Sequence, residues 1–194
     1  MRHNFIVILA AINFFFIFSC DRRQTNEIKK TPNILIIFAD DQRADALGIA
    51  QNPYLKTPNI DDLAKNGVLF ENCYVMGGHH GAICAPSRAM LLSGKSLFHV
   101  YDRLEEVETL PNYLSKNGFQ TFATGKWHNG AESFETNFQE GAKVMLGGMS
   151  DHFNVPLRDL DEYNKLNNPH NEGFSTDIFT EATLDYFDRY QASK

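Results

Sequence analysis

The feature that most constrains the fold is the run Asn33–Ala39 (NILIIFA), apolar at every position from Ile34 to Ala39. A strand with one wet face alternates apolar and polar residues. A run without alternation suits a strand buried on both faces, as in a parallel sheet covered by helices. The chain that follows alternates helical and strand-like segments. Thr57-Pro58 opens a helical pattern with Ile60, Leu63 and Ala64 on one side, and Gly67 ends it. Val68–Val75 reads as a strand, Gly77–Gly81 as a turn and Pro86–Leu92 as a short helix closed by Gly94. Leu110–Asn117 reads as a helix stopped by Gly118, and Phe119–Thr124 as a strand broken at Gly125. From Gly130 to about Glu172 the pattern is irregular. Phe179, Ala182, Thr183, Tyr186, Phe187 and Tyr190 then mark an amphipathic helix by their three-and-four spacing. This alternation predicts an α/β layered fold with a largely parallel sheet. No internal repeat interrupts it.

Composition narrows the function classes. A hydrophobic content of 43 % in 194 residues supports a real core and excludes wholesale disorder. With 18 Lys and Arg against 24 Asp and Glu, the net charge is −6 and no basic block exists. Nucleic-acid binding needs clustered cations, so that class is set aside. An anionic substrate would have to meet positive charge local to a pocket. Three cysteines are too few for a multi-disulfide scaffold.

The chain opens with a targeting pattern. Arg2 and His3 precede an apolar run from Phe5 to Phe18 with Asn13 as its one polar residue. That is short for a membrane span, which needs about 20 residues. A basic start, an apolar middle and small Ser19 before Cys20 fit residues 1–19 as an export signal. Ser19-Cys20 at the end of the run resembles a bacterial lipoprotein signal, in which the cysteine becomes the lipid-bearing terminus. Bulky Phe18 fits that pattern imperfectly, and ordinary secretion and an uncleaved anchor are the alternatives. Residues 20–31 read as a polar linker, and 32–194 as the folded portion. The expected location is the periplasm or cell envelope, with a lipid anchor if Cys20 is modified.

Three short segments carry chemistry. Asp40-Asp41 ends the first apolar run, and ligand sites in open α/β sheets gather at the carboxyl ends of strands. Two adjacent carboxylates suit a hard cation such as Ca²⁺ or Mg²⁺, while a turn or helix N-cap is the plain alternative. The second segment is Cys84-Ala85-Pro86-Ser87-Arg88. Proline early in a helix places Cys84 at its entrance, where backbone N–H groups and the dipole favour an anion. Arg88 lies one turn later on the same side. A buried free cysteine beside a surface arginine explains the spacing equally well. The third segment is Gly125-Lys126-Trp127-His128. By itself it reads as a surface lysine and a turn histidine.

Taken together, these segments resemble the type I sulfatases. Cys84-x-Pro86-Ser87-Arg88 with Leu91 and Ser93-Gly94 is similar to the first signature of that family, and Gly125-Lys126-Trp127-His128 to the second. The order also matches: Asp-Asp first, the cysteine motif next, the Lys-Trp-His motif last. Thr57-Pro58-Asn59-Ile60 and Gly67-Val68-Leu69-Phe70 resemble the family's connection between the first strand and the cysteine. The similarity spans Thr31 to about Tyr190. Asn129 stands where many relatives have leucine, and Ser93 where many have threonine.

The resemblance implies a fold and a mechanism. The fold is an alkaline phosphatase-like sandwich, a central, largely parallel sheet flanked by helices. In such enzymes a maturing enzyme oxidises the motif cysteine to formylglycine, whose hydrate attacks sulfur and later expels sulfate as the aldehyde re-forms. Cys84 would then be the nucleophile precursor. Asp40, Asp41 and the converted Cys84 would be metal ligands, for Ca²⁺ rather than Mg²⁺. Arg88 would hold the nucleophile and support the metal shell, Lys126 would neutralise sulfate, and His128 would position or deprotonate the nucleophile. Trp127 would pack the lysine and histidine in place. His79 and His80 stay outside the assignment, as do His99 and His152. Cys73 is expected to be buried in its strand-like run.

The implied activity is hydrolysis of sulfate esters of sulfated glycans or aryl alcohols. Alternatives are a phosphoester or phosphonate-ester hydrolase of the same superfamily, or a non-catalytic lipoprotein that binds sulfated glycans. Two aspartates supply at most four oxygens, whereas Ca²⁺ takes about 6–8. The family pattern brings a further Asp-Asn pair, a lysine and a histidine from later in the chain, and no Asp-Asn-Gly segment follows His128. The expectation is a sulfatase N-terminal portion, incomplete at the C-terminus and inactive alone.

Overall fold

The computed structural model describes residues 31–192. The segment 1–19 read as an export signal, Cys20 and the stretch through Lys30 read as a linker lie outside the described residues. Two units emerge, one ending at Phe38 and one running from Ala39 onward. In the first unit, residues 31–38 form no strand. Ile34 to Phe38 are 47–79 % exposed, so the expectation of a buried parallel strand over Asn33–Ala39 is corrected. A strand exists through its neighbours' hydrogen bonds. Among the described residues no strand pairs with this run.

The second unit holds the elements that matter for chemistry. Helix α1 (Pro58–Asn66) starts with proline in its first turn and ends at Gly67, as the sequence suggests. Thr57 Oγ1 donates to Asp61 Oδ1 at 2.8 Å and accepts from Gly48 N–H at 2.8 Å, which ties the preceding loop to the helix start. Val68–Val75, expected as a strand, is irregular and exposed, and so is Cys73. The expected burial of Cys73 fails because this run too has no strand beside it among the described residues.

Helix α2 (Cys84–Ser93) is closed by Gly94, whose N–H still bonds the Met90 carbonyl while its φ of 66° turns the chain out of the helix. Helix α3 (Leu110–Lys116) is capped by Thr109, whose hydroxyl accepts from Asn112 N–H at 3.4 Å. Strand β1 (Phe122–Lys126), helix α4 (Ala131–Asn137) and strand β2 (Glu140–Met145) form a compact β-α-β unit with parallel strands. Strands β3 (Val155–Leu157) and β4 (His170–Glu172) make a short antiparallel pair. Helix α5 (Ser175–Ala192) closes the described chain.

The fold is therefore mixed α/β with a small parallel sheet. Among the described residues the strands form two two-stranded sheets, one parallel and one antiparallel, rather than one broad sheet. The supposed irregular stretch from Gly130 to Glu172 holds α4, β2, β3 and β4. These elements have three to seven residues, too few for either hydrophobic period to repeat.

Packing explains why β1 and β2 pair. One core joins Ala89 of α2, Leu104, Trp127, Phe134 of α4 and Val144 of β2. A second joins Met145, Val155, Leu157 and Ile178 of α5. Phe134 meets Trp127 edge to face at 5.4 Å. Helix α5 lays Ile178 and Ala182 inward and stacks Tyr186 on Phe122 of β1 at 4.4 Å. Part of the predicted apolar face, Phe179 and Tyr186, thus lies on the sheet, while Phe187 of that face is exposed. Gly125 sits at φ 85°, at the irregularity in the β1 register, with the Phe179 ring against it. Among the described residues no helix is long and apolar enough to cross a membrane.

Candidate active site

Helix α2 and the end of β1 converge on one cluster. Cys84 is the first residue of α2, and Lys126 the last of β1, followed directly by Trp127 and His128. Trp127 is 5 % exposed, and its indole N–H donates to Gly130 O and Ser133 Oγ, both at 2.9 Å. This burial anchors the turn from within, so its neighbours Lys126 and His128 project from a fixed backbone. The packing role expected for Trp127 is the one it fills.

Arg88 is not a surface residue. Its side chain is 6 % exposed and folds back along α2. Nη1 donates to Cys84 O at 3.1 Å, Nε to Lys126 O at 3.2 Å and Nη2 to Asp40 Oδ1 at 3.2 Å. One guanidinium therefore joins the helix entrance, the end of β1 and the first aspartate. Lys126 Nζ donates to the other oxygen of the same carboxylate at 2.7 Å. Burial disfavours ionisation of Asp40, but the lysine and arginine outweigh it and hold the carboxyl below the usual carboxylate range. Two cations thus meet at one carboxylate, with the Asp102 charge also acting on His128.

His128 completes the cluster. Its Nδ1 lies 3.0 Å from Cys84 Sγ. The residue adopts φ 64°, a left-handed conformation that needs support in a non-glycine residue. Gly148 passes close to the ring: a Cβ there would stand 2.6 Å from Cε1 and 2.7 Å from Nε2. Burial, then the charges of Lys126 and Arg88, push the imidazole below its ordinary value, against a smaller pull from Asp40 and Asp102. The ring is thereby kept neutral at pH 7, able to accept or donate a proton.

The chain that carries this cluster is similar to a known group. The family model described as "Sulfatase" matches residues 32–194. The chain belongs to the sulfatase family. An N-acetylglucosamine-6-O-sulfatase of Bacteroides thetaiotaomicron is 28 % identical over 100 % of this chain and 34 % of its own length. An N-acetylgalactosamine-6-sulfatase of Canis lupus familiaris is 27 % identical over 84 % of the chain and 37 % of its own. Arylsulfatase A of Bos taurus is 39 % identical over 51 % of the chain and 21 % of its own. The chain thus spans roughly a third or less of the length of these sulfatases. No solved structure matches.

Of the residues that the sulfatase resemblance singles out, Asp40, Cys84, Arg88, Lys126 and His128 come together. Asp41 follows Asp40 in a left-handed conformation (φ 55°) with an exposed side chain. Among the described residues no group of three or more His, Cys, Asp or Glu side chains is placed to hold a metal ion. His79 lies edge-on to Phe98 at 6.0 Å, and His99 Nδ1 contacts Ser96 Oγ at 2.7 Å. Two features escape the motif reading. Pro169-His170 opens β4, with His170 Nε2 3.3 Å from Lys143 Nζ and 3.6 Å from Asp159 Oδ2. Asn129, noted in the sequence for departing from the family pattern, is almost wholly buried beside His128. A buried asparagine carries no spacing signal that would single it out.

Proposed function

We propose that this chain supplies the nucleophile half of a sulfate-ester hydrolase, in the alkaline phosphatase-like fold of its family. The observation that carries the reading is the meeting of Cys84 Sγ and His128 Nδ1 at 3.0 Å, beside an Arg88–Asp40–Lys126 ion-pair array. Cys84, after oxidation to formylglycine by a maturing enzyme, is the nucleophile position. His128 orients the nucleophile and moves its proton. Lys126 and Arg88 set a positive field for the anionic sulfate.

Asp40 and Asp41, with converted Cys84, would hold Ca²⁺. The donor chemistry fits a hard cation, since Asp40 stays ionised and presents two oxygens, although Arg88 and Lys126 share both of them. Further oxygen ligands are needed to complete the shell. When bound, the ion supplies neutralisation of the sulfate charge.

The named activities of relatives on N-acetylglucosamine and N-acetylgalactosamine sulfates point to a sulfated glycan as substrate. Residues 1–19 are read as the export signal, Cys20 as a lipid attachment site, 20–31 as a linker and 32–194 as part of the catalytic domain, acting in the periplasm or cell envelope. The test is co-expression with a maturing enzyme, followed by mass spectrometry of the Cys84 peptide and parallel assays on para-nitrophenyl sulfate and phosphate. Conversion of the thiol to an aldehyde in this chain, and sulfate-ester turnover by a complete enzyme carrying it that Cys84→Ala abolishes, are the expected results. A persistent thiol under conditions that convert a control sulfatase, or faster phosphate release, would sink the reading.

A further inference from the structure

Asn129 is 1 % exposed and follows His128 directly. Its Nδ2 donates to Ala85 O at 2.9 Å and also to Asp102 O. Its Oδ1 has no hydrogen-bond partner among the described residues. A buried amide oxygen without a donor costs about 1–3 kcal/mol. An apolar side chain would avoid that cost, so stability alone does not account for an asparagine here. What the carboxamide gains is a particular connection. Ala85 is the residue after Cys84, in the first turn of α2. The bond therefore runs from the turn that carries the imidazole to the turn that carries the thiol.

The rest of the turn is fixed from the opposite side. Ser133 Oγ donates to the Asn129 carbonyl at 2.7 Å, and the Trp127 indole is bonded to Gly130 O and Ser133 Oγ. Those contacts tie the turn to α4. Its distance from α2 is set by two ties, the Arg88 guanidinium that joins Cys84 O to Lys126 O before the turn and the Asn129–Ala85 bond that lies after His128. His128 is held in a left-handed conformation between this anchored backbone and the close wall of Gly148.

We propose that Asn129 is a positioning residue: its carboxamide latches the His128 turn to the first turn of α2 and so sets the separation of imidazole and thiol. The assignment of a role to that pair rests on the function proposed above, whereas the latch itself can be measured without turnover. A shift of about 1 Å at a reacting centre can cost roughly 100-fold in rate.

The test uses the chain with Cys84 unconverted and then converted. In the unconverted chain, nuclear Overhauser contacts between the His128 ring proton on Cε1 and the Cys84 β-protons report the pair. Asn129→Ala and Asn129→Ser remove the carboxamide in an apolar and a polar way. In either folded variant the cross-peaks should weaken or vanish while other contacts in the Trp127–Phe134 core persist. In a complete enzyme carrying the converted chain, kcat on para-nitrophenyl sulfate should fall about 10- to 100-fold with little change in KM. Unchanged cross-peaks in a folded variant would overturn the proposal. Failure of both variants to fold would overturn it too, making Asn129 a determinant of folding alone. Absence of turnover in the unsubstituted complete enzyme would count against the proposed function, and the cross-peak comparison would still decide the latch.

Discussion

Gly141→Ala tests the packing logic of the β-α-β unit with a single methyl group. Gly141 lies in β2, opposite Ala123 of β1. A Cβ built there would stand 2.4 Å from Phe134 Cε1 and 2.6 Å from Cζ. Ordinary contacts between such carbons are about 3.5–4.0 Å, so the ring edge must retreat by roughly 1 Å. The ring has little room to do so. Phe134 is 1 % exposed and is boxed in by Trp127 at 5.4 Å and Phe138 at 5.0 Å. Overpacking of this kind costs about 1–3 kcal/mol. At this chain length each kcal/mol lowers Tm by about 2–4 °C. Calorimetric melting of the two proteins measures the shift. A paired variant sharpens the test. Phe134→Leu shortens the offending edge, so the double variant should lose less than the sum of the two single variants, with a coupling of about 0.5–3 kcal/mol. An unchanged Tm in Gly141→Ala, or strict additivity in the double variant, would refute the claim that the Phe134 ring occupies the space.

Two further outcomes are expected. Glu135 of α4 accepts from Lys165 Nζ at 2.7 Å and from Leu166 N–H at 3.0 Å, and these bonds hold its carboxyl below its ordinary value of 4.5. The folded state then binds fewer protons than the unfolded one in that range. The stabilisation is present above pH 4.5 and is lost as pH falls through the lowered value. Melting curves should show a shallower acid limb for Glu135→Gln than for the unsubstituted chain, and identical limbs would count against it. Cys20→Ala should release the exported protein from membranes into the soluble fraction, since Asp21–Thr31 has no apolar anchor of its own. Continued sedimentation with membranes would remove the lipid-anchor reading.

The parts of this protein that the sequence reveals are those whose causes are local. Pro58 and Gly67 bound α1, and Gly94 ends α2, because proline and glycine act on the backbone within one turn. The one-turn spacing of Cys84 and Arg88 is legible for the same reason. Strands are different, because a strand is defined by a partner elsewhere in the chain. The runs at Asn33–Ala39 and Val68–Val75 have the composition of strands without any pairing among the described residues, while the glycine-containing segment Glu140–Met145 pairs with β1. The candidate site divides along the same line. Motif spacing names Cys84, Arg88, Lys126 and His128, but not the bonds that Asp40 receives from Arg88 and Lys126, 48 and 86 positions away. Nor does it name Asn129, whose significance lies wholly in which carbonyls it reaches. Among the described residues no ladder lies behind Asp40, so charge rather than sheet hydrogen bonding draws it to the cluster. Its carboxylate is 43 % exposed, whereas its partners Arg88 and Lys126 are 6 % and 13 % exposed. The firm part of the site is thus α2 and the Trp127-anchored turn, and the Asp40 carboxylate is the member that a competing cation draws away most easily.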